Sequence, residues 1–326
     1  MKTILVTGGA GYIGSIAVRR LLEEKYNVIV LDNLSRGHKE SLPQEVKLVK
    51  ISISDEQKVL DFLGKNKIDA VIHFAAYAYV GESVTDPNLY YNNNLVKGLI
   101  FLECLKKKNI KNIIFSSSCA TYGLPKEIPI QEDAIQFPIN PYGFTKYLFE
   151  QALKFYEATS GIKFVALRYF NAAGAAYGIG EDHRPETHII PNALQVALGK
   201  KDHFDLFGTD YETSDGTCIR DYVHVLDLIE AHILALKHLE NGGESKFYNL
   251  AIGKGYSNKE ILKTCEEVTG KKILVIERER RMGDPPILYA SAEKIKEELG
   301  WETKYELKDM VQSAWDWHKK NSEGYH

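Results

Sequence analysis

The strongest constraint on this chain is a run of glycines directly after its first apolar stretch, Thr7-Gly8-Gly9-Ala10-Gly11-Tyr12-Ile13-Gly14. Gly8, Gly11 and Gly14 recur every third residue between a β-branched stretch at 3–6 and an amphipathic one at 11–24. Without side chains the backbone turns sharply from strand into helix, and its free amides and the positive end of the helix dipole face a pyrophosphate. A glycine turn packed only for tightness would read the same in isolation, so the flanking sequence has to decide. The second apolar stretch, 28–31, ends at Asp32. A carboxylate about 20 residues past the glycines accepts hydrogen bonds from both ribose hydroxyls of an adenosine. Asp32 therefore favours NAD and repels a 2′-phosphate, although Arg36 close by leaves NADP open.

The pattern continues as alternating strands and helices. Strands are expected at 3–6, 28–31, 46–51, 70–74, 113–116 and 164–169, and helices at 11–24, 55–64, 92–107 and 142–160. This is the signature of repeated βαβ units, an α/β fold with a Rossmann-type doubly wound parallel sheet. After residue 172 the alternation gives way to Gly- and Pro-containing loops, helices at 189–198, 225–239, 258–268 and 293–299, and short strands. We therefore expect a nucleotide-binding domain at 1–172 and a smaller mixed α/β substrate lobe at 173–326, with segments near 222–252 returning to the main sheet.

Length and composition agree with such a protein: 326 residues, 44% hydrophobic and 26% charged. With 41 basic against 44 acidic residues, the net charge of -3 gives no general attraction to nucleic acid or to anionic membranes. The four cysteines form no CxxC pair, so neither a disulfide framework nor a zinc site is expected from them. No stretch reaches the length of a membrane span and no leader is evident, so a cytoplasmic protein is expected.

Tyr142 and Lys146 stand four residues apart after Pro141, which places a phenol and an ammonium on one face at the start of a helix. A nearby ammonium, together with a nicotinamide cation, favours phenolate and brings tyrosine towards use as a base. An ordinary helix-surface pair has the same spacing. Upstream, Ser116-Ser117-Ser118 closes a strand at its C-terminal end, the edge at which parallel sheets place ligands. Ser118 there can relay a proton beside Tyr142, or simply cap a turn.

In order along the chain, these motifs resemble the extended short-chain dehydrogenase/reductase family, and within it the branch that epimerises UDP-hexoses at C4. The resemblance rests on residues 7–14, Asp32-Asn33-Leu34, residues 71–75, Val80-Gly81-Glu82-Ser83, Asn94, Ser116 to Ser118 with Tyr122-Gly123, and Pro141-Tyr142 with Lys146. It continues through residues 168–171 with Gly174, Asp215-Gly216-Thr217 with Arg220-Asp221-Tyr222 and His224, and Arg281 with Gly283-Asp284. It implies that Tyr142 takes the sugar 4-hydroxyl proton, that Lys146 holds the nicotinamide ribose, and that Ser118 hydrogen-bonds at O4. Hydride would pass to NAD and return to the opposite face of the 4-keto sugar, interconverting UDP-galactose and UDP-glucose. The implied cofactor contacts are Gly8, Gly11, Tyr12, Ile13, Gly14, Asp32, Asn33, Ser35, Ser52, Ile53, Phe74, Ala75, Ala76, Asn94, Ser116, Tyr142, Lys146 and Tyr169. The substrate contacts are Ser118, Tyr142, Phe170, Asn171, His188, Ile189, Phe207, Arg220, Tyr222, Arg281, Asp284 and Leu288. No metal is implied.

Several positions depart from the family's commoner pattern. Ser52 stands where an Asp meets the adenine amino group, Ala78 where some members place a Lys, His188 where an amide is found near the diphosphate, and Ile16 where a His is frequent. Leu288 falls at the position that gates sugar size, which points to glucose and galactose and leaves N-acetylated or pentose sugars open. Cys119 and Ala120 stand where the related dehydratases carry an Asp-Glu pair, so dehydration is disfavoured. A non-enzymatic NAD(P) sensor would have no need of Ser118, Tyr142 and Lys146. A homodimer through helices near 92–107 and 142–160 matches the family's habit.

Overall fold

In the computed structural model, which describes residues 1–281 and 284–325, six strands alternate with helices through the first half of the chain. They are β1 Thr3–Thr7, β2 Asn27–Leu31, β3 Lys47–Val49, β4 Ala70–His73, β5 Asn112–Ser118 and β6 Lys163–Tyr169. With Lys246–Leu250 as the outer strand beside β6, they form a seven-stranded sheet. Its order places β1 between β2 and β4, paired in parallel with both. The chain thus reverses its direction of growth at β1, and the ends of β1, β2 and β4 meet where a doubly wound sheet opens its ligand crevice.

The central strands β1, β4, β5 and β6 are buried along nearly their whole length. Leu5, Leu31, Val71, Ile113 and Phe115 pack against Val59 and Phe62 of the helix Glu56–Lys65, Phe101 and Leu105 of Lys97–Lys107, and Phe149 and Leu153 of Pro141–Ser160. The helix expected at 92–107 is regular only from Lys97. Before it lie short helices at Val80–Thr85 and Pro87–Tyr90 and a wide-turned stretch at Tyr91–Val96. The sequence pattern missed this part because Pro87 and three consecutive asparagines break the helical period.

The chain divides into two compact units. One comprises Met1–Gly123, Ile135–Arg168 and Ile229–Tyr248, the other Leu124–Ala134, Tyr169–Leu228 and Asn249–His326. The second unit has its own core, in which Ile190, Leu194, Leu206, Ile261, Met310, Val311 and Trp315 meet. Its last helix, Leu307–Lys320, was not anticipated from the sequence. Four of its last nine residues are charged or histidine, which masks the Leu307, Met310, Val311 and Ala314 stripe that it buries.

Candidate active site

The glycine turn is packed too closely for side chains at two of its positions. Gly8 has φ +70°, and a Cβ there would lie 2.6 Å from the Ala75 nitrogen. On Gly14, one would lie 2.3 Å from the Gly8 carbonyl oxygen. Gly11 precedes the helix Tyr12–Glu23 and carries no side chain to cap it, so the positive end of that helix starts at the glycine turn. Asp32 is buried beside this turn. Its Oδ2 accepts from the Ala10 amide at 3.0 Å and its Oδ1 from Leu34 at 2.8 Å. Burial pushes its pKa up, opposed by those two amides. At Gly11, by contrast, a Cβ would meet only the Gly8 carbonyl oxygen, at 3.4 Å, so that side of the turn is the open one.

Around the cradle, Asn33 accepts from the Ser35 amide, Ser52 pairs with Ser54, and Ile53 is buried. Phe74 packs on His232, Ala75 closes over Gly8, and Ala76 follows in the same loop. Asn94 binds the backbone of Tyr77 through both its oxygen and its nitrogen, and also reaches Thr145. It therefore fixes the loop after β4 against the Tyr142 helix. Arg36 is engaged elsewhere than the NADP alternative requires. Its guanidinium meets both oxygens of Glu82 at 2.7 and 2.6 Å and stacks over the rings of Tyr77 and Tyr79. Glu82 also accepts from Tyr90, which packs edge-on against Tyr142. Sequence reasoning gave Glu82 no role, since only the fold joins these loops.

Ser118, Tyr142 and Lys146 come together in the first unit and are all buried. Asn140 caps the Tyr142 helix by accepting from the Gly143 amide at 2.8 Å, with Pro141 in its first turn. Gly143 lets that helix start against the turn Cys119–Thr121, because a Cβ there would lie 2.3 Å from the Ala120 carbonyl oxygen. Ser118 Oγ accepts from the Ala120 amide at 3.2 Å and lies near enough to the Tyr142 phenol to favour its charged form. Lys146 Nζ donates to the Ser116 carbonyl at 2.6 Å. Burial pushes the Tyr142 pKa up to about 12, partly opposed by Ser118, and pushes Lys146 down to about 7, partly opposed by Glu150. The expected shift of Tyr142 towards phenolate is thus not a property of the protein alone. Positive charge from a cofactor has to supply it.

Below these residues lies a group that the sequence reading did not single out. Glu150, one further turn along the Tyr142 helix, accepts from Arg168 Nε at 2.9 Å and Nη2 at 2.8 Å, from Ser117 at 2.5 Å and from Gln136 at 2.9 Å. Arg168 Nη1 donates to the Tyr122 hydroxyl at 2.9 Å. The i, i+4, i+8 spacing of Tyr142, Lys146 and Glu150 was the available signal.

The second unit holds the other group of expected residues. A cavity of about 690 Å³ is lined by Asn171, His188, Ile189, Phe207, Tyr222 and Arg281, together with Asn192, Lys200 and Lys201, which the sequence reading overlooked. Arg281 lies 3.9 Å over the Phe207 ring, a stacked cation and aromatic face suited to a nucleotide base and phosphate. Asn171 donates to the Asp221 carbonyl at 2.8 Å. Outside this lining, Arg220 pairs with Asp284 at 3.5 Å, and Leu288 lies in a short strand in register with Arg220. Tyr169 and Phe170 are buried at the end of β6 and beyond. Gly283 lies outside the described residues.

Known proteins are similar to this chain over nearly its whole length. The UDP-glucose 4-epimerase of Halalkalibacterium halodurans is 50% identical over 325 residues, covering 99% of this chain and 97% of that protein. The crystal structure of UDP-glucose 4-epimerase from Brucella ovis in complex with NAD has a TM-score of 0.94 at 45% identity, covering 97% of this chain and 98% of that one. The enzyme of Bifidobacterium longum in complex with NAD+ and UDP has a TM-score of 0.94 at 39% identity, covering 99% and 100%. Residues 4–251, which hold the glycine cradle, Asp32, Ser118, Tyr142 and Lys146, match one family model, and by it this chain belongs to the NAD dependent epimerase/dehydratase family.

Proposed function

We propose that the protein interconverts UDP-galactose and UDP-glucose at C4 of the sugar, with NAD held on the glycine cradle and Asp32. The observation that carries this reading is the buried Ser118, Tyr142 and Lys146 group at the end of β5, in the same unit as the cradle. Bound NAD supplies the acceptor and donor of hydride for C4 and a positive charge that favours the Tyr142 phenolate. Tyr142 takes the 4-hydroxyl proton and returns it to the keto oxygen. Ser118, close to the phenol, hydrogen-bonds O4 and relays that proton. Lys146, anchored on the Ser116 carbonyl, presents its remaining N–H donors to the nicotinamide ribose. In the second unit, Arg281 and Phe207 hold the uridine diphosphate, with Asn171, His188, Ile189 and Tyr222 around it. Arg220 and Asp284 assist from beside the cavity.

Dehydration needs a carboxylate next to Ser118, and the turn there carries Cys119 and Ala120. The test is to incubate the purified enzyme with UDP-galactose and NAD. UDP-glucose should appear without net NADH, and UDP-N-acetylgalactosamine should turn over more slowly because Leu288 is nine-tenths buried and limits room for an acetamido group. NADH accumulation without epimer, or preference for the N-acetylated sugar, contradicts the reading.

The helix Pro141–Ser160 carries Phe144 and Phe155, which are 39% and 72% exposed, and Val96, just before the helix Lys97–Lys107, is 47% exposed. These apolar side chains favour a homodimer through that face. All four cysteines are free thiols, and among the described residues no helix is long and apolar enough to cross a membrane. Both features suit a cytoplasmic enzyme. Activity should therefore elute from a cytosolic extract at twice the 36.9 kDa chain mass, and elution at the monomer mass sinks the dimer.

A further inference from the structure

We infer that Glu181, His183, Glu186 and His188 form a binding site for one divalent transition-metal ion, with zinc the best fit. They are the only group of metal-ligating side chains found among the described residues, and their four donor atoms all lie within 4.8 Å of one another. Glu181 Oε1 is 2.9 Å from His183 Nδ1 and 2.8 Å from His188 Nδ1, while His188 Nδ1 is 3.0 Å from Glu186 Oε1. Around an ion that binds nitrogen and oxygen at about 2.1 Å, neighbouring ligand atoms are separated by about 3.0 Å at right angles and about 3.4 Å in a tetrahedron.

A plain set of hydrogen bonds accounts for this convergence less well. His188 Nδ1 carries at most one proton, yet it faces an oxygen of each of two carboxylates. Both imidazoles present the same nitrogen to the same oxygen of Glu181. One cation at the centre accepts lone pairs from all four groups at once. The side chains of Glu181 and Glu186 are only 8% and 4% exposed, and two carboxylates so placed need positive charge close by. The remaining titratable neighbours are His318 on the last helix, which feels both carboxylates, and Asp182, which pairs with Arg184. The support expected around metal ligands is also present, since Glu186 Oε1 accepts from the amides of Thr187 at 2.7 Å and His188 at 2.8 Å.

Two imidazoles and two carboxylates suit zinc, cobalt or manganese, whereas calcium and magnesium favour oxygen alone. The site would close the irregular segment at 174–188, which holds no helix and no strand. It would also fix the start of the helix Ile189–Ala197, and with it the cavity wall formed by Glu181, Glu186 and His188. The inference does not depend on which sugar the enzyme uses.

The test uses the full-length protein, stripped with chelator and then exposed to zinc. About one equivalent per chain should survive gel filtration, with an unfolding midpoint raised by several degrees. Cobalt in place of zinc should give visible d–d bands. His183→Asn and Glu181→Gln should each lose the metal and the rise in midpoint. If these variants fail to fold, the stoichiometry and cobalt spectrum of the unmodified protein still decide. Retention of less than about a tenth of an equivalent, a zinc content unchanged in folded His183→Asn, or a midpoint raised only by calcium or magnesium overturns the assignment.

Discussion

Replacing Tyr142 with phenylalanine is expected to lower kcat for UDP-galactose by about 10²- to 10⁴-fold, the usual contribution of a positioned acid or base. The change removes one oxygen, the atom proposed to accept the sugar proton, which Ser118 lies near. Packing should survive, since the ring keeps its edge-on contact with Tyr90 and the helix keeps its Asn140 cap. NAD binding and the unfolding midpoint should therefore stay near those of the parent, which separates lost chemistry from lost fold. Steady-state rates with both UDP-sugars, together with a cofactor titration, are the measurements. A Tyr142→Phe enzyme within about tenfold of the parent would remove the phenol from the mechanism.

Stability, rather than rate, responds first to Glu150→Gln. Arg168 is 3% exposed and Glu150 fully buried, so the change leaves a guanidinium in the interior without its counter-charge. Breaking such a pair typically costs about 3–5 kcal/mol. The neutral amide keeps the shape and accepts through one oxygen only, so the Arg168 fork and the Ser117 and Gln136 donors can no longer all be satisfied. Urea unfolding should show the loss. The double replacement Glu150→Leu with Arg168→Met should recover much of it, because no charge is then stranded. A loss below about 1 kcal/mol for Glu150→Gln would mean that water or a rearranged partner reaches Arg168. Lys146 sits one turn above on the same helix, with Glu150 supporting its charge against burial. The variant should therefore also weaken activity beyond what its stability explains.

Much of the active site could be read from the chain because its parts are local. Gly8, Gly11, Gly14 and Asp32 lie within one βαβ unit, so their spacing alone places them at one turn. Tyr142 and Lys146 are neighbours by helical period. Other parts could not be read in this way. Glu82 matters because Arg36, from the loop after β2, and Tyr90, from the helix Pro87–Tyr90, both bond its carboxylate. Asn94 was expected at the cofactor, and its amide turns out to be engaged with Tyr77 and Thr145. The spacing Glu181, His183, Glu186, His188 is visible in the sequence, but an irregular loop has no period from which convergence could be inferred.

By itself the sequence determined the alternation of strands and helices, the phosphate cradle, and a phenol and an ammonium on one helical face. All of these follow from backbone geometry over a few residues. The state of that phenol and that ammonium was decided only by the tertiary structure. Burial raises Tyr142 to about 12 and lowers Lys146 to about 7, because desolvation penalises whichever form carries charge. Spacing along a helix brings two groups together, but the dielectric around them is set by every residue that packs above, and this is why the glycine cradle and Tyr142 depend on each other.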